Sequence, residues 1–385
     1  MLEFRTEGFN GYAVKYSPFF DSRIAVAASA NFGLVGNGRL YILNLTANGI
    51  QAEKWCVAHV DALSVIEETL CGAITNAWTL FRFDTQDSLY DTAWSEQNEH
   101  QIVVASGDGS VKLYDISTDQ FPIQSWQEHK REVYSTCWNL VSKDTFCSSS
   151  WDGTIKIWSP QRPTSVLTLP THSCTYSSAF SPHSPSILSS VASDSHLRIF
   201  DLRTPSSASN HLVHLIPIHG PPPTLHHQTQ AHPPSECLTH DWNKYRSTTI
   251  ATAGVDTMIR TFDIRAPKQG PTAVLQGHEY AVRKIAWSPH LSDVLLSASY
   301  DMTTRVWSDG STGNGGEVQG GVVQHPGMGG AGATSGLGRN LGRMDRHTEF
   351  VTGVDWCLFG AEGWCASVGW DKRLLVWDVR AIMGT

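Results

Sequence analysis

Short segments in which apolar and polar residues alternate recur along the chain. Clear examples are Gly38–Leu43, in the N-terminal region, and the opening residues Leu2–Thr6. A period of two indicates a β-strand with one buried face, because successive side chains of a strand point to opposite sides of the sheet. The pattern therefore predicts a β protein built from many short strands.

A turn aspartate and an aromatic residue six positions later mark a repeating unit. The intervals between successive aspartates are 44, 42, 62, 45 and 70 residues, so three match a unit of about 40–45 residues and two contain insertions. Four short strands fit in such a unit. The six pairs are Asp108 and Tyr114, Asp152 and Trp158, Asp194 and Phe200, Asp256 and Phe262, Asp301 and Trp307, and Asp371 and Trp377.

A histidine precedes five of these aspartates by 22 to 24 residues; the five are His129, His172, His232, His278 and His347. We expect each imidazole to bond to the carboxylate of its aspartate. Where the following strand carries tryptophan, its indole N–H should join the network through a hydroxyl group. Polar groups can be buried in this way only when each has a partner. These are features of WD-repeat β-propellers, in which four-stranded blades surround a central channel.

The N-terminal region is expected to supply a seventh blade, with Gly38–Leu43 as its third strand and Asn37 or Gly36 in place of the turn aspartate. The last unit has its third strand at Leu374–Trp377 and lacks a fourth. We expect Leu2–Thr6 to complete that blade, which would close the ring and cover two strand edges. The prediction is an all-β fold: one seven-bladed propeller over residues 1–385.

Three segments interrupt the repeat, at residues 58–82, 203–234 and 309–344. The first could form a short helix. The second is rich in Pro, Ser and His and should not form a central strand, because proline removes a donor from the ladder. The third is rich in glycine, which loses much entropy on ordering. We expect flexible inserts at all three positions.

Composition limits the possible partners. A formal net charge of −8 argues against a broad nucleic-acid surface and favours a cationic partner. The eight cysteines show no C-x-x-C pair and are interpreted as buried thiols of a reducing compartment. No signal peptide or apolar membrane span is recognisable, so we expect a cytosolic protein, monomeric alone and without membrane insertion.

The chain shows no convincing catalytic or cofactor motif. His211, His214, His219, His226 and His227 are clustered, but no Cys or acidic ligand has metal spacing near them, so a polar loop is favoured. His278–Glu279 begins like a zinc protease motif, but Val282 occupies the position of the second histidine. We therefore expect no metal, no cofactor and no enzymatic activity. The sequence is typical of a binding platform.

One rim of a propeller gathers the loops that join the second strand to the third and each blade to the next. The residue before each turn aspartate and the residues that open each first strand should lie there. Together they bring aromatic rings and carboxylates to the channel mouth, which suits a short amphipathic peptide with positive charge. Packing within blades remains the alternative for each ring, and a solvated face for the acids. The candidates are Asp87, Tyr90, Glu132, Tyr134, Trp151, Tyr176, Glu236, Arg283, Tyr300, Glu349, Phe350 and Trp370.

Several segments resemble the WD-repeat peroxins that are receptors for the type 2 peroxisomal targeting signal. The likeness covers essentially all seven blades. It is strongest in Gly11–Phe19, Gly33–Gly38, Tyr90–Glu99, Glu128–His129, Glu132–Ser135 and His347–Phe350.

The resemblance implies a cytosolic receptor that captures matrix proteins by an N-terminal nonapeptide. That signal has a basic residue first, then an aliphatic one, and His or Gln followed by an apolar residue at its end. By this likeness Asp87, Glu132 and Glu236 would pair with the basic end, and Trp151, Tyr134, Tyr300 and Trp370 would hold the apolar face. It further implies a co-receptor, a docking complex at the peroxisomal membrane and cycling of the receptor. The three inserts depart from the family pattern.

A second resemblance keeps another function open. Phe200–Arg203, Phe262–Arg265 and Trp377–Arg380 are similar to the Trp-Asp-x-Arg box of substrate receptors of cullin ubiquitin ligases. The other interpretation is that an arginine after a third strand lies on the opposite rim and binds nothing.

Overall fold

A computed structural model of the chain describes residues 1–30, 37–46, 48–52, 82–118, 121–204, 211–218, 235–312, 336–360 and 362–383. These residues form seven separate sheets, one for each blade of a propeller, and the strand pairs are antiparallel except for one in the fifth blade. The seven-bladed, all-β prediction is confirmed. Two short 3-10 helices, Pro267–Gln269 and Val379–Ala381, are the helical elements of the described chain.

Thirty strands are described, numbered in chain order. They are β1 (Leu2–Arg5), β2 (Asn10–Tyr16), β3 (Arg23–Ala30), β4 (Asn37–Thr46), β5 (Gly49–Ala52), β6 (Arg82–Thr85), β7 (Leu89–Trp94), β8 (Gln101–Ser106), β9 (Ser110–Asp115), β10 (Gln124–Gln127), β11 (Val133–Trp138), β12 (Phe146–Ser150), β13 (Thr154–Trp158), β14 (Leu167–Pro170), β15 (Thr175–Phe180), β16 (Ile187–Ala192), β17 (His196–Asp201), β18 (Leu212–Pro217), β19 (Cys237–Trp242), β20 (Thr249–Gly254), β21 (Ile259–Asp263), β22 (Ala273–Leu275), β23 (Val282–Trp287), β24 (Val294–Ser299), β25 (Thr304–Ser308), β26 (Gly336–Leu337), β27 (Arg339–Met344), β28 (Val351–Trp356), β29 (Trp364–Gly369) and β30 (Arg373–Asp378).

Each blade has an inner strand beside the channel and an outer strand at the periphery. Blade 1 contains β2 to β6, with β5 and β6 both paired to β4. Blades 2, 3 and 4 contain β7 to β10, β11 to β14 and β15 to β18. Blade 5 contains β19 to β22 and the parallel strand β26, and blade 6 contains β23, β24, β25 and β27. Blade 7 has the order β28, β29, β30, β1.

The N-terminal strand closes the ring as predicted. Strand β1 pairs antiparallel with β30, with Leu2 opposite Val376 and Phe4 opposite Leu374. Glu3 accepts two hydrogen bonds from the Arg373 guanidinium, at 3.0 and 2.6 Å. The last blade thus has four strands.

Aspartates that are buried or half-buried join the inner strands of neighbouring blades. In three blades a carboxylate on the inner strand accepts a hydrogen bond from a backbone N–H of the next inner strand. A buried carboxylate is stabilised by such bonds, and here they also fix one blade against the next. The three bonds run from Thr136 to Asp91 (3.1 Å), from Trp287 to Asp241 (2.7 Å) and from Tyr16 to Asp355 (2.9 Å).

A four-residue polar network lies inside blades 3, 6 and 7. In blade 3, Nδ1 of His129 is 3.0 Å from Asp152 Oδ2, and Nε2 is 2.8 Å from Ser148 Oγ. The indole N–H of Trp158 donates to the same Ser148 oxygen at 2.7 Å. Since a carboxylate only accepts, His129 carries its proton on Nδ1. The same contacts join His278, Asp301, Ser297 and Trp307 in blade 6, and His347, Asp371, Ser367 and Trp377 in blade 7.

The prediction that His172 serves this network is wrong. His172 is exposed, and the carboxylate of Asp194 binds the Arg198 guanidinium instead, with a further bond from Ser173. Thr171, which is 23 residues before Asp194 as His129 is before Asp152, occupies the inward position. His172 follows Thr171 in a left-handed backbone conformation (φ 59°), and its ring lies at the surface.

Blade 5 also uses an arginine. Asp256 forms an ion pair with Arg260 at 2.5 Å, four residues later, as Asp194 does with Arg198. His232, its expected partner, lies outside the described residues. The six cysteines of the described chain form no disulfide.

Two of the expected flexible inserts contain outer strands. Residues 212–217 form β18, and residues 339–344 form β27. An outer strand pairs on one side only, so Pro217 at its end costs no ladder bond. Composition alone therefore misled us at these two positions. The helix considered within residues 58–82 falls almost entirely outside the described chain.

Replacing Asp152 by Ala should destabilise blade 3, because it leaves His129 Nδ1 and the Lys130 N–H without their common acceptor. We expect a loss of about 1–3 kcal/mol per unsatisfied group in urea denaturation at pH 7. The control is Asp144→Ala, an exposed residue of the same blade. Equal stability of the two variants would contradict the assigned network.

The difference in stability between wild type and Asp152→Ala should also depend on pH. Burial alone would raise the pKa of Asp152, but the bonds from His129, Thr154 and Lys130 hold it well below its usual range. A carboxyl group with a depressed pKa stabilises the fold above the pKa of the unfolded chain, about 4, and loses this effect as the pH falls. The difference in free energy of unfolding between wild type and Asp152→Ala should therefore narrow below about pH 4.

Candidate functional site

The residues before the turn aspartates and the residues that open the inner strands lie together at one end of the propeller. In six blades, the N–H of the residue before the turn aspartate donates to a carbonyl at the start of the inner strand. These bonds are 2.8 to 3.1 Å long. They join Gly107 to Ser88, Trp151 to Glu132, Ser193 to Cys174, Val255 to Glu236, Tyr300 to Ala281 and Trp370 to Phe350.

Eight aromatic rings form a continuous arc around this mouth. Successive ring centroids lie 4.8 to 6.0 Å apart from Tyr300 through Phe350, Trp370, Tyr12, Tyr90 and Tyr134 to Trp151. Tyr176 completes it with contacts to both Tyr134 and Trp151. We call these eight residues the aromatic arc. It runs through blades 6, 7, 1, 2, 3 and 4.

The arc is stabilised by stacking and leaves ring surface accessible. Tyr134 stacks on Tyr90 and on Trp151 with interplanar angles of 19° and 14°. Tyr12 is buried, and the other seven rings are half-buried. Rigid rings of this kind give contact area at low entropy cost. The arc can therefore hold an apolar surface without rearrangement.

Tyr12 is a member that the sequence reasoning missed. Its position after Gly11 matches that of Tyr90, Tyr134 and Tyr176, each the second residue of an inner strand in register. Comparing the inner strands position by position would have identified it.

Two of the predicted carboxylates flank one ring of the arc. Burial, the phenol of Tyr134 and the negative charges of Glu132 and Asp87 raise the pKa of Tyr90 to about 12. Asp87 accepts a hydrogen bond from the Ser88 N–H at 2.7 Å, and Glu132 lies 3.5 Å from the Arg131 guanidinium. Two carboxylates thus lie beside Tyr90 where blades 2 and 3 meet, and one of them is paired with Arg131.

The other two carboxylates lie elsewhere on the rim. Glu236, in blade 5, accepts a hydrogen bond from the Tyr176 hydroxyl at 2.8 Å. Glu349 is exposed at the start of blade 7. The four acids therefore do not form one cluster, and only Asp87 and Glu132 lie beside the same ring.

Arg283 lies at the centre of the mouth instead of on its edge. It belongs to the inner strand of blade 6, and its guanidinium carbon is 5.1 Å from the ring centroid of Tyr134 in blade 3. The side chain thus crosses the channel below the arc. Its position gives the mouth a cationic centre and an acidic edge.

The channel beyond Arg283 contains lysine–aspartate pairs. Lys15 is 3.2 Å from Asp355, and Lys244 is 2.9 Å from Asp241. These pairs line a cavity of about 230 Å³ and compensate each other's charge. Within the described residues, no group of three His, Cys, Asp or Glu side chains could hold a metal ion, and no helix is long and apolar enough to cross a membrane.

The three arginines of the Trp-Asp-x-Arg-like boxes are bound within their own motifs. Arg203, Arg265 and Arg380 each approach the aspartate two residues earlier to 2.6 Å. No contact of these side chains favours the ligase interpretation.

Comparison with known proteins gives a consistent family. The model of the WD domain, G-beta repeat, matches residues 120–159, 163–201, 269–308 and 338–378. The chain is 37% identical to the peroxisomal targeting signal 2 receptor of Saccharomyces cerevisiae, over 98% of this chain and 99% of that protein. It is 37% identical to peroxisome biogenesis protein 7 of Arabidopsis thaliana, over 96% of this chain and 95% of the other, and 32% identical to the mouse receptor, over 97% and 95%. The chain belongs to the family of peroxisomal targeting signal 2 receptors.

Proposed function

We propose that this protein is a peroxisomal import receptor that binds the N-terminal type 2 targeting signal of matrix proteins at the aromatic arc. With a co-receptor it delivers the cargo to the docking complex of the peroxisomal membrane and then returns to the cytosol. It acts by binding and not by catalysis. The aspartates and histidines that resemble catalytic pairs bond to each other or to arginine inside the blades.

The observation that carries the proposal is the aromatic arc with Asp87 and Glu132 beside Tyr90. The basic first residue and the polar eighth residue of a type 2 signal are seven positions apart. This spacing is about two helical turns, or about 10.5 Å, so both side chains project from one face of a helix. Such a helix can lay its apolar side chains on the rings while its basic end reaches the carboxylates.

Charge reversal at the acidic edge should weaken peptide binding. The probe is a labelled nonapeptide with Arg first, Leu second, Gln eighth and Leu ninth, measured by fluorescence anisotropy. We expect Glu132→Lys to weaken binding by about 1–2 kcal/mol, roughly five- to thirtyfold in Kd, because it places like charges together. A peptide with Glu in the first position should bind this variant better than it binds wild type.

Asp144→Lys is the matched control, since it makes the same charge change on the exposed loop between β11 and β12. It should bind both peptides as wild type does. Equal retention of the Arg and Glu peptides by wild type would show that the acidic edge does not select charge.

Removing a ring of the arc should weaken peptide binding more than removing an exposed ring elsewhere. Trp151→Ala takes away the surface stacked on Tyr134, and we expect about 2 kcal/mol of lost binding, roughly thirtyfold in Kd. Phe121→Ala is the control, because Phe121 is an exposed aromatic residue outside the arc. Unchanged affinity of a folded Trp151→Ala variant would place the peptide elsewhere.

The cellular function can be tested by deleting the gene in its own host. A fluorescent reporter fused to a type 2 signal should remain in the cytosol, while a reporter with a C-terminal signal is still imported. The gene carrying Glu132→Lys should rescue the first reporter less well than the gene carrying Asp144→Lys. Import of the type 2 reporter in the deletion strain would contradict the proposed function.

A further inference from the structure

The side chain of Arg283 is largely buried at the base of the aromatic arc without a protein acceptor. The residue is 7% exposed, and among the described residues its side chain forms no hydrogen bond or ion pair; its contact is with the Tyr134 ring. Burial alone would lower its pKa, but Tyr300, Tyr134 and Asp91 raise it, so the group stays charged. The guanidinium nitrogens are accessible to solvent, so they can donate hydrogen bonds to an acceptor that enters the mouth.

A second donor belongs to a ring that stacks on Tyr134. Within the described part of the chain, the buried indole N–H of Trp151 has no hydrogen-bond partner, and its ring stacks on Tyr134 at 4.9 Å. Arg283 and Trp151 therefore both offer N–H groups near Tyr134, at the rim end of the channel.

A small niche opens beside Arg283. It has a volume of about 10 Å³, and Tyr12, Tyr90, Tyr134, Tyr176 and Thr352 contribute to its walls. This is room for about one water-sized group. We call it the acceptor niche.

The surroundings of the acceptor niche favour a neutral acceptor over a carboxylate. Asp91 lies on its channel side, and Asp87 and Glu132 flank Tyr90 on its rim side. Lys284, which also lines the niche, is 3.8 Å from Asp91 and offsets its charge. Asp87 and Glu132 would still repel an acidic group, whereas an amide oxygen or imidazole nitrogen can accept from the guanidinium without that penalty. Because four tyrosine rings of the arc contribute to its walls, a side chain of a helix resting on the arc can reach the niche.

We propose that Arg283 is a specificity-determining residue which donates a hydrogen bond to a neutral side-chain acceptor of the bound peptide. This inference rests on the proposed function, and it assigns the acceptor to the eighth residue. That residue is the remaining polar position on the helix face whose basic end meets Asp87 and Glu132. Arg283 thus selects a polar residue there, and the acidic edge selects the basic one.

The test is a comparison of two nonapeptides that differ only in Gln or Leu at the eighth position. Wild type should bind the Gln peptide about ten- to hundredfold more tightly, the usual effect of a hydrogen bond to a charged donor. Arg283→Leu should reduce this preference to within about threefold, chiefly by weakening the Gln peptide. Arg283→Lys keeps the charge and a donor, and should keep an intermediate preference.

Arg131→Leu is the matched control, since Arg131 also lies over a ring of the arc, 5.4 Å from the centroid of Trp151, but is exposed and paired with Glu132. It should keep the full preference for Gln. Thermal melting of each variant checks that it is folded.

The outcomes separate the two proposals. If wild type binds neither peptide, the proposed function fails. If wild type binds the Gln peptide and a folded Arg283→Leu variant keeps the full Gln preference, only the role of Arg283 is overturned. A wild type that binds both peptides equally also overturns it, because the niche then selects no acceptor.

Discussion

The rim depends on the hydrogen bonds accepted by one buried carboxylate, that of the aspartate in the turn between the second and third strands of a blade. In blade 3 it binds both the His129 ring and the Lys130 N–H, so it fastens the turn to the loop that enters the blade. The residue immediately before this aspartate, Trp151, belongs to the aromatic arc, and so do Tyr300 and Trp370 before the aspartates of blades 6 and 7. The three blades with a complete histidine network are the ones that present these rings. A structural device inside the blade thereby sets the position of a binding side chain at its edge.

Much of the fold could be predicted from the sequence because its signals are local. Alternation of residue types located the third strands, and a nearly constant histidine–aspartate spacing of 23 or 24 residues located the network in blades 3, 6 and 7. The prediction for His172 failed because its backbone is left-handed and its ring is exposed, which spacing alone does not show. Strands β18 and β27 were missed because an outer strand needs only one row of partners and tolerates proline or glycine near its ends.

The candidate site stays a prediction: the sequence named its residues apart from Tyr12, but not their arrangement. The repeat register assigns eleven of the named side chains to the rim of the channel mouth. The contacts among them depend on how neighbouring blades are oriented around the channel. Tyr90, Tyr134 and Trp151 belong to two blades yet stack as one unit. Arg283 has the same register position as these tyrosines, but its longer side chain crosses to the opposite wall. A register gives the position of a residue but not the length or direction of its side chain. These two properties decide whether the side chain lies at the edge of the mouth or at its centre.

The pairing of β1 with β30 has a consequence for biosynthesis. Leu2 and Val376 are direct neighbours in one sheet, although almost the whole chain is synthesised between them. During synthesis on the ribosome, β1 is made before all other described strands and cannot pair until β30 has been made. Until then each has an edge of unpaired backbone groups. Closing so long a loop is entropically slow, and open strand edges attract other chains. Nascent chains of this protein therefore expose the edge of β1 until β30 has been made, and the pairing of these two strands is the step that closes the ring.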